Sequence, residues 1–457
     1  MIEKRFNEID GELAVRLIDE KSFTELREII CDREPRDIAL LFEDVPQKYR
    51  TALFRLLPKE YAADSFVELD TDVQRELVES FTEGELRGVI DELFLDDAVD
   101  IIEEMPANVV KKILRASSAT DRQKINQLLG YPKDSAGSLM TPEYVRLLPD
   151  MTASEALAHI RRVALDSETI YTCYVTDGKR RLIGIVTAKQ LLISDPETKI
   201  SQIMNTAPIY AETNTDKETV LNVIREYGFL ALPVVDNEQR LVGIVTVDDA
   251  VDAMSEEAEA DFAKMAAITP GDEEYLKTSV FSIFRARIPW LLLLLISSAL
   301  SSLMLTRFES ALPAVLVLFV PMLMGTGGNC GSQASVTVIR SLSLGTVSPK
   351  NTPRVLTKEL LVGILCAVTL GVAAFLKVLF VDGAAFGNAS VTIEVALAVA
   401  IALASVVIVS KLIGAALPII VKVIGLDPAV MASPFITTIV DALSLVVYFA
   451  VANIALA

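Results

Sequence analysis

Five long apolar stretches in the last two-fifths of the chain constrain its fold more than any other feature. Ile288 to Thr306 runs for 19 residues without a charge, and an α-helix needs about 20 such residues to cross a bilayer. Ser310 to Ile339 is uncharged for 30 residues, although it is punctuated by Pro313, Pro321 and the four glycines 325, 327, 328 and 331. Leu360 to Leu376 is a third stretch. Val395 to Val421 is a fourth, interrupted only by Lys411, and Pro428 to Ala457 a fifth, interrupted only by Asp441. Five spanning helices are predicted. A hydrophobic soluble core is the competing reading, and uncharged runs of this length argue against it.

Charge is segregated accordingly. The 457 residues carry a net −19, but from Phe281 onward there are 10 basic and 6 acidic residues, leaving a net −23 on residues 1–280. Such an acidic region is not a nucleic-acid binder, because neutralising phosphates requires clustered Lys and Arg. A single histidine, His159, argues against His-based zinc sites and a Ser-His-Asp triad. Cys31, Cys173, Cys330 and Cys366 lie far apart, with no CxxC pair, so neither a disulfide framework nor a thiolate metal cage is expected. With no P-loop and no nucleophile–base pair, an enzyme is not expected. The opening MIEKRFNEID has no hydrophobic signal region. Basic residues approach the first span (Lys277, Arg285, Arg287), connect the second to the third (Arg340, Lys350, Arg354, Lys358) and follow the fourth (Lys422). Positive charge favours the cytosolic side, so residues 1–280 are expected in the cytosol and the C-terminus outside.

Two intramembrane features carry chemistry. The first is Met324-Gly-Thr-Gly-Gly-Asn-Cys-Gly-Ser-Gln333. Its glycines suggest a broken helix opening carbonyls toward a wet cavity, with Asn329 and Gln333 adding side-chain oxygens one turn apart. Close helix packing through small residues is the alternative. The second is Asp441, the one acidic residue well inside a span. A carboxylate there is costly and usually faces water, a counter-charge or a cation. Lys411 is the other intramembrane charge, either a structural partner or a side chain that snorkels to a water boundary. One carboxylate among neutral oxygens suits a hard cation that keeps much of its water, as Mg²⁺ does.

Within the cytosolic region, Arg181-Leu-Ile-Gly-Ile-Val-Thr187 recurs as Arg240-Leu-Val-Gly-Ile-Val-Thr246. Each copy reads as helix, strand, turn, strand and helix. Residues 137–253 resemble a tandem CBS pair. Such pairs generally dimerise and often bind adenine nucleotides; the second repeat carries the nucleotide-type Thr246 and Asp249, whereas the first has Gln190 at the Asp position. Residues 1–130 show helical periodicity punctuated by Pro35, Pro46, Pro58 and Pro106, as short helices stacked into a small superhelix would give. Acidic clusters stand out at Asp96, Asp97 and Asp100, and again from Asp248 and Asp249 through Asp252, Glu256, Glu257 and Glu259 to Asp261. A solvated face explains such runs ordinarily. At the exit of a regulatory pair, repelling carboxylates would instead keep domains apart until divalent cations neutralise them.

The chain as a whole resembles the MgtE-type bacterial magnesium transporters. The resemblance rests on Pro321-Met-Leu-Met-Gly-Thr-Gly-Gly-Asn-Cys-Gly-Ser-Gln333, Gly425-Leu-Asp-Pro-Ala-Val, Thr437-Thr-Ile-Val-Asp441 and Thr246-Val-Asp-Asp-Ala-Val-Asp252. It implies an α-helical superhelix N domain (1–130), an α/β tandem CBS pair (131–253), a connecting plug helix (254–278) and a five-helix α transmembrane domain (279–457). It implies a homodimer in the bacterial inner membrane with the pore between protomers. Asp441 would hold hydrated Mg²⁺, with Asn329 and backbone oxygens near Gly325 and Gly328 lining the path. Asp96, Asp100, Asp249, Asp252, Glu257 and Asp261 match the family's regulatory carboxylates, and Glu259 stands beside Ala260, where another is expected. Cytosolic Mg²⁺ bound there would shut the pore, and ATP is the nucleotide expected at the CBS pair. Ser332 and Ser433 depart from Asn-type residues of the family pattern. The alternatives are a less selective pathway for Co²⁺, Mn²⁺ or Ni²⁺, and a membrane-tethered CBS nucleotide sensor.

Overall fold

The structure is a computed structural model and describes residues 11–271, 275–276, 278–309, 313–388, 390–431 and 433–456. Lys277 and the side chain of Ser433 lie outside the described residues. The chain divides into two compact units, Met1–Ala253 and Met254–Ala457.

The first unit begins with ten short helices: α1 (Gly11–Asp19), α2 (Phe23–Cys31), α3 (Pro35–Asp44), α4 (Gln47–Phe54), α5 (Lys59–Val67), α6 (Thr71–Ser80), α7 (Glu83–Ile90), α8 (Leu95–Glu104), α9 (Ala107–Ala116) and α10 (Ala119–Leu128). The prolines that punctuate the sequence start helices. Pro35 is the first residue of α3, and Pro46, Pro58 and Pro106 sit at the N-caps of α4, α5 and α9, where a missing N–H costs nothing. Alternate helices stack: α1 on α3, α3 on α5, α5 on α7 and α7 on α9. Phe42, Phe54 and Phe66 recur every twelve residues along this stack, edge to face with centroids 6.2 and 6.0 Å apart. Lys112 closes the end of α6, its Nζ donating to the carbonyls of Val78 and Phe81 at 2.5 and 2.7 Å.

The repeat then folds twice. The first copy comprises α11 (Ala136–Leu139), β1 (Tyr144–Leu147), α12 (Ala153–Val163), β2 (Thr169–Thr176), β3 (Leu182–Thr187) and α13 (Ala188–Ile193). The second comprises α14 (Ile200–Ile203), β4 (Ala211–Glu212), α15 (Lys217–Tyr227), β5 (Ala231–Val235), β6 (Leu241–Thr246) and α16 (Val247–Met265). Each makes a three-stranded sheet with one parallel and one antiparallel pairing, β1-β2-β3 and β4-β5-β6. The segment just before the first strand of each copy crosses to the other: Thr141 bridges Ile244 on β6, and Asn205 bridges Ile185 on β3. This exchange explains the glycine inside each repeated motif. A Cβ on Gly184 would meet Met204 Sδ at 2.8 Å and the Asn205 carbonyl at 2.9 Å, and one on Gly243 would meet Met140 Sδ at 2.7 Å and the Thr141 carbonyl at 2.9 Å.

The second unit holds α17 (Val280–Glu309), α18 (Ala314–Val317), α19 (Val320–Ser343), α20 (Thr352–Leu376), α21 (Ile393–Val423) and α22 (Ser433–Leu456), and five of its helical stretches are long and apolar enough to span a membrane. The glycine motif corrects one expectation. Its backbone is not broken, because α19 runs unbroken from Val320 to Ser343 with Pro321 in its first turn. The carbonyls of Gly325 and Gly328 therefore belong to the helical ladder, and the glycines instead permit close packing. A Cβ on Gly327 would strike Ser444 Oγ and Val406 Cγ1 at 2.7 Å, and one on Gly331 would strike Val440 Cγ2 at 2.9 Å. Lys411 does not snorkel. It is 6% exposed on α21, beside Gly363 of α20, and no ion pair joins it to Asp441 among the described residues.

Glycines of the first unit give a contrasting prediction. Gly184→Ala and Gly243→Ala force a methyl into backbone and should each destabilise the CBS pair by about 1–3 kcal/mol. Gly84→Ala and Gly88→Ala on α7 meet nothing within 4 Å, and each should stabilise the N-terminal helices by roughly 0.5–1 kcal/mol. Denaturant unfolding of the four variants checks both signs.

Candidate functional site

In the first unit two helix starts bring carboxylates together. Asp96 and Asp97 lie in the first turn of α8, and Asp248 and Asp249 in the first turn of α16. Helix N-termini favour anions, but here the carboxylates are also packed against one another. Burial pushes Asp97 up to about 8, reinforced by the charges of Asp96, Asp249, Asp100 and Asp248. Burial likewise raises Asp249 to about 6; its hydrogen bond with Thr246 opposes the shift, while Asp96, Asp248 and Asp252 add to it. Asp96 is raised to about 6, again chiefly by burial. Glu168 joins from the loop before β2 and is pushed up to about 9 by burial and then by Asp96, Asp97, Asp249 and Asp248. Glu143 adds a carboxylate that accepts the Leu95 N–H at 3.0 Å. Lys124 acts on Glu143, but among the described residues no basic side chain figures in the shifts of Asp96, Asp97, Asp249 and Glu168. Asp96 Oδ1 and Glu168 Oε2 are buried without a hydrogen-bond partner.

Thus Asp96, Asp100, Asp249 and Asp252, all singled out in the sequence, are joined electrostatically through Asp97, which feels Asp96, Asp100 and Asp249, and through Asp249, which feels Asp96 and Asp252. Sequence reasoning missed Glu168 and Glu143, which lie far from the acidic runs and reach them only through tertiary folding. Thr246, buried on β6, donates its hydroxyl to Asp249 at the start of α16. The matching residues of the first repeat, Thr187 and Gln190, form a reciprocal capping box, so the Thr-x-x-Asp pattern serves the helix start in both copies.

In the second unit, the end of α16 is tied down. Ser343 donates to Asp261 at 3.2 Å, and Lys264 pairs with Asp427 at 2.8 Å. Asp261 is raised by burial and by the charge of Asp427. Burial opposes the charge on Lys264, but its bond to Asp427 and the charges of Asp427, Asp261 and Glu257 outweigh that and raise it. Trp290 of α17 donates to Thr269 Oγ1 at 3.1 Å. Glu259 is exposed, away from these contacts.

Asp441 of α22 faces α19. Its Oδ1 lies 3.4 Å from where a Cβ on Gly328 would stand, and that oxygen is buried without a hydrogen-bond partner. Gly325, Asn329 and Gln333, four residues apart along α19, form an exposed stripe. The structure thus brings Asp441 and Gly328 together and leaves Gly325 and Asn329 on the open face of the same helix. Among the described residues no three His, Cys, Asp or Glu side chains converge as a direct metal cage. A cation at either place is one held largely through its water.

The acidic group makes the first unit pH-sensitive. The folded unit keeps protons on Asp97 and Glu168 up to about 8 and about 9, while an unfolded chain releases them near pH 4. Native protein then binds more protons across that window, so stability is greatest below it and falls as pH rises through it, by about 1.4 kcal/mol per unit for each group still protonated. Thermal unfolding without divalent cations should show a lower Tm at pH 8.5 than at pH 5.5, and Asp97→Asn should flatten that slope.

The profile of the MgtE divalent cation transporter matches residues 320–451, that of the MgtE intracellular N domain residues 33–134, and that of the CBS domain residues 136–196 and 200–256. The chain is 36% identical to the magnesium transporter MgtE of Thermus thermophilus, over 98% of this chain and 99% of that protein. It is 31% identical to the magnesium transporter MgtE of Bacillus subtilis, over 96% of this chain and 95% of that one. It is also similar to a solved cytosolic domain of the Mg²⁺ channel MgtE in complex with ATP, with 38% identity and a TM-score of 0.50, over 52% of this chain and 97% of that one. Helical N-terminal region, CBS pair and five apolar helices thus occur together with full-length similarity, and the chain belongs to the MgtE family of magnesium transporters.

Proposed function

We propose that this chain conducts Mg²⁺ across the bacterial inner membrane, with Asp441 as the carboxylate that holds the hydrated ion. The observation carrying this is the orphaned Oδ1 of Asp441 against Gly328. A buried carboxylate oxygen without a donor is stabilised by a passing cation, and the closely packed glycine helix holds it in place. The open stripe of Gly325 and Asn329 on α19 supports a path completed by a second copy, so the working unit is a homodimer. Positive charge around the connections supports a cytosolic N-terminal half and an outward C-terminus.

Regulation follows from the carboxylates. Asp96, Asp97, Asp100, Asp249, Asp252 and Glu168 repel when ionised, and Mg²⁺ bound among them offsets that repulsion and holds the helical region on the CBS pair. The orphaned oxygens of Asp96 and Glu168 fit an ion kept partly hydrated. Glu257, Glu259 and Asp261 extend the acidic run along α16 and serve the same sensing role nearer the spans. High cytosolic Mg²⁺ then closes the pathway and low Mg²⁺ releases it. ATP at the CBS pair, by analogy with the ATP-bound relative, is a modulator of that response. The chain is a transporter rather than an enzyme.

Flux into liposomes tests both halves of this reading. Asp441→Asn should lower Mg²⁺ entry by about tenfold or more with an unchanged Tm, because the pathway loses its one fixed charge. Normal flux in that variant overturns the pore assignment. Asp97→Asn combined with Asp249→Asn should leave the pathway open at Mg²⁺ concentrations that close wild type. Competition by Co²⁺, Mn²⁺ and Ni²⁺ measures selectivity, and absence of flux from folded wild type favours a nucleotide sensor anchored by its spans.

A further inference from the structure

A basic groove interrupts this otherwise acidic first unit. It lies between α7 and α9, has a volume of about 580 Å³, and is lined by Gly84, Arg87, Asn108, Lys111 and Arg115, with Glu83 the one carboxylate on its wall. Helix α9 carries three basic residues and no acidic one. Lys112 is occupied with the carbonyls of α6, but Lys111 and Arg115 have no carboxylate partner among the described residues. Arg87 pairs with Asp91 at 3.4 Å, both side chains being about half exposed, a contact weak enough to be exchanged. A chain rich in Asp and Glu has left these cations unneutralised in one place.

Helix α7 supplies a second, independent observation. It spends two of its eight residues on Gly84 and Gly88, which weakens the helix, yet no atom packs where their side chains would be. Internal packing therefore does not account for them. Gly84 lines the groove, and its bare surface leaves room for something to sit directly on the helix.

We infer that this groove binds a small, multiply charged phosphate compound. Its size is that of a small-molecule site, and Arg and Lys converging from two helices provide charge-assisted donors to phosphate oxygens. A protein partner is disfavoured, because no large apolar side chain is exposed between residues 83 and 116 to act as an anchor. The same absence leaves nothing to enter a bilayer surface. No aromatic ring lines the groove to stack on a nucleobase, so the phosphates are what is recognised. The site is separate from the acidic group and from the CBS strands, and it stands whether or not the transport reading does.

The test uses the full chain in zwitterionic nanodiscs, in buffer free of divalent cations, titrated calorimetrically with inorganic tripolyphosphate. Wild type should bind one equivalent, more weakly as salt rises. Lys111→Glu and Arg115→Glu should each weaken binding by roughly tenfold or more through the loss of charge-assisted contacts. Gly84→Leu should do the same by filling the floor, although it improves helix propensity and so leaves the fold intact. Lys133→Glu, at an exposed pair with Glu103, should change affinity less than about twofold, as surface pairs do. No saturable binding, or binding that survives the Lys111 and Arg115 reversals, overturns the proposal. So does association with vesicles of phosphatidylglycerol and phosphatidylcholine in equal parts in place of tripolyphosphate binding.

Discussion

A carboxylate oxygen removed from water must find a donor, a proton or a cation, and this chain buries several that accept no hydrogen bond. Asp96 Oδ1, Glu168 Oε2 and Asp441 Oδ1 are all buried without a partner. Removing such a group from water costs several kcal/mol in an uncompensated site. Protons are the default solution, which is why burial and mutual repulsion drive Asp97 and Glu168 far above the ordinary carboxylate range. A divalent cation is the other solution. The structure is arranged so that the energetic state of its acidic groups depends on what the surrounding solution supplies.

The scaffold keeps those groups from relaxing apart. In the first unit Asp96 and Asp97 sit at the start of α8, which packs on α10, and Asp249 at the start of α16, directly after β6, which the Thr141 segment bridges. In the second unit α19 lies so close to α21 and α22 that Gly327, Gly328 and Gly331 cannot carry a side chain. Close packing serves the site in both cases, because a loosely held carboxylate would simply turn to water. Lys411 shows the same discipline from the opposite sign of charge. It is buried on α21 beside Gly363 rather than extended to a boundary, leaving Asp441 unneutralised.

Glycine carries three different meanings in this chain, and sequence spacing alone does not separate them. Gly184 and Gly243 permit a backbone crossing between repeats. Gly327, Gly328 and Gly331 permit helices to approach. Gly84 and Gly88 face open space. The sequence motif around Gly325 suggested an opened helix because glycine can leave helical geometry. In the structure the neighbouring helices reward a continuous one, since every backbone group in an apolar surrounding needs its ladder partner.

Several features were determined by the sequence itself. Uncharged length alone marks spanning helices, because the cost of a charge in hydrocarbon admits few exceptions, and Asp441 stands out as one of them. The repeated Arg-Leu-x-Gly-Ile-Val-Thr phrase identifies two copies of one α/β unit, and prolines mark helix starts because the ring lacks an N–H. Asp96, Asp100, Asp249 and Asp252 were legible as charge runs. Tertiary structure alone decided which carboxylates share a site. Glu168 and Glu143 join Asp96 and Asp249 from distant loops, whereas Glu259, embedded in the same acidic run, faces solvent. Electrostatic coupling depends on distance and burial rather than on sequence separation, and only the folded chain sets those two quantities.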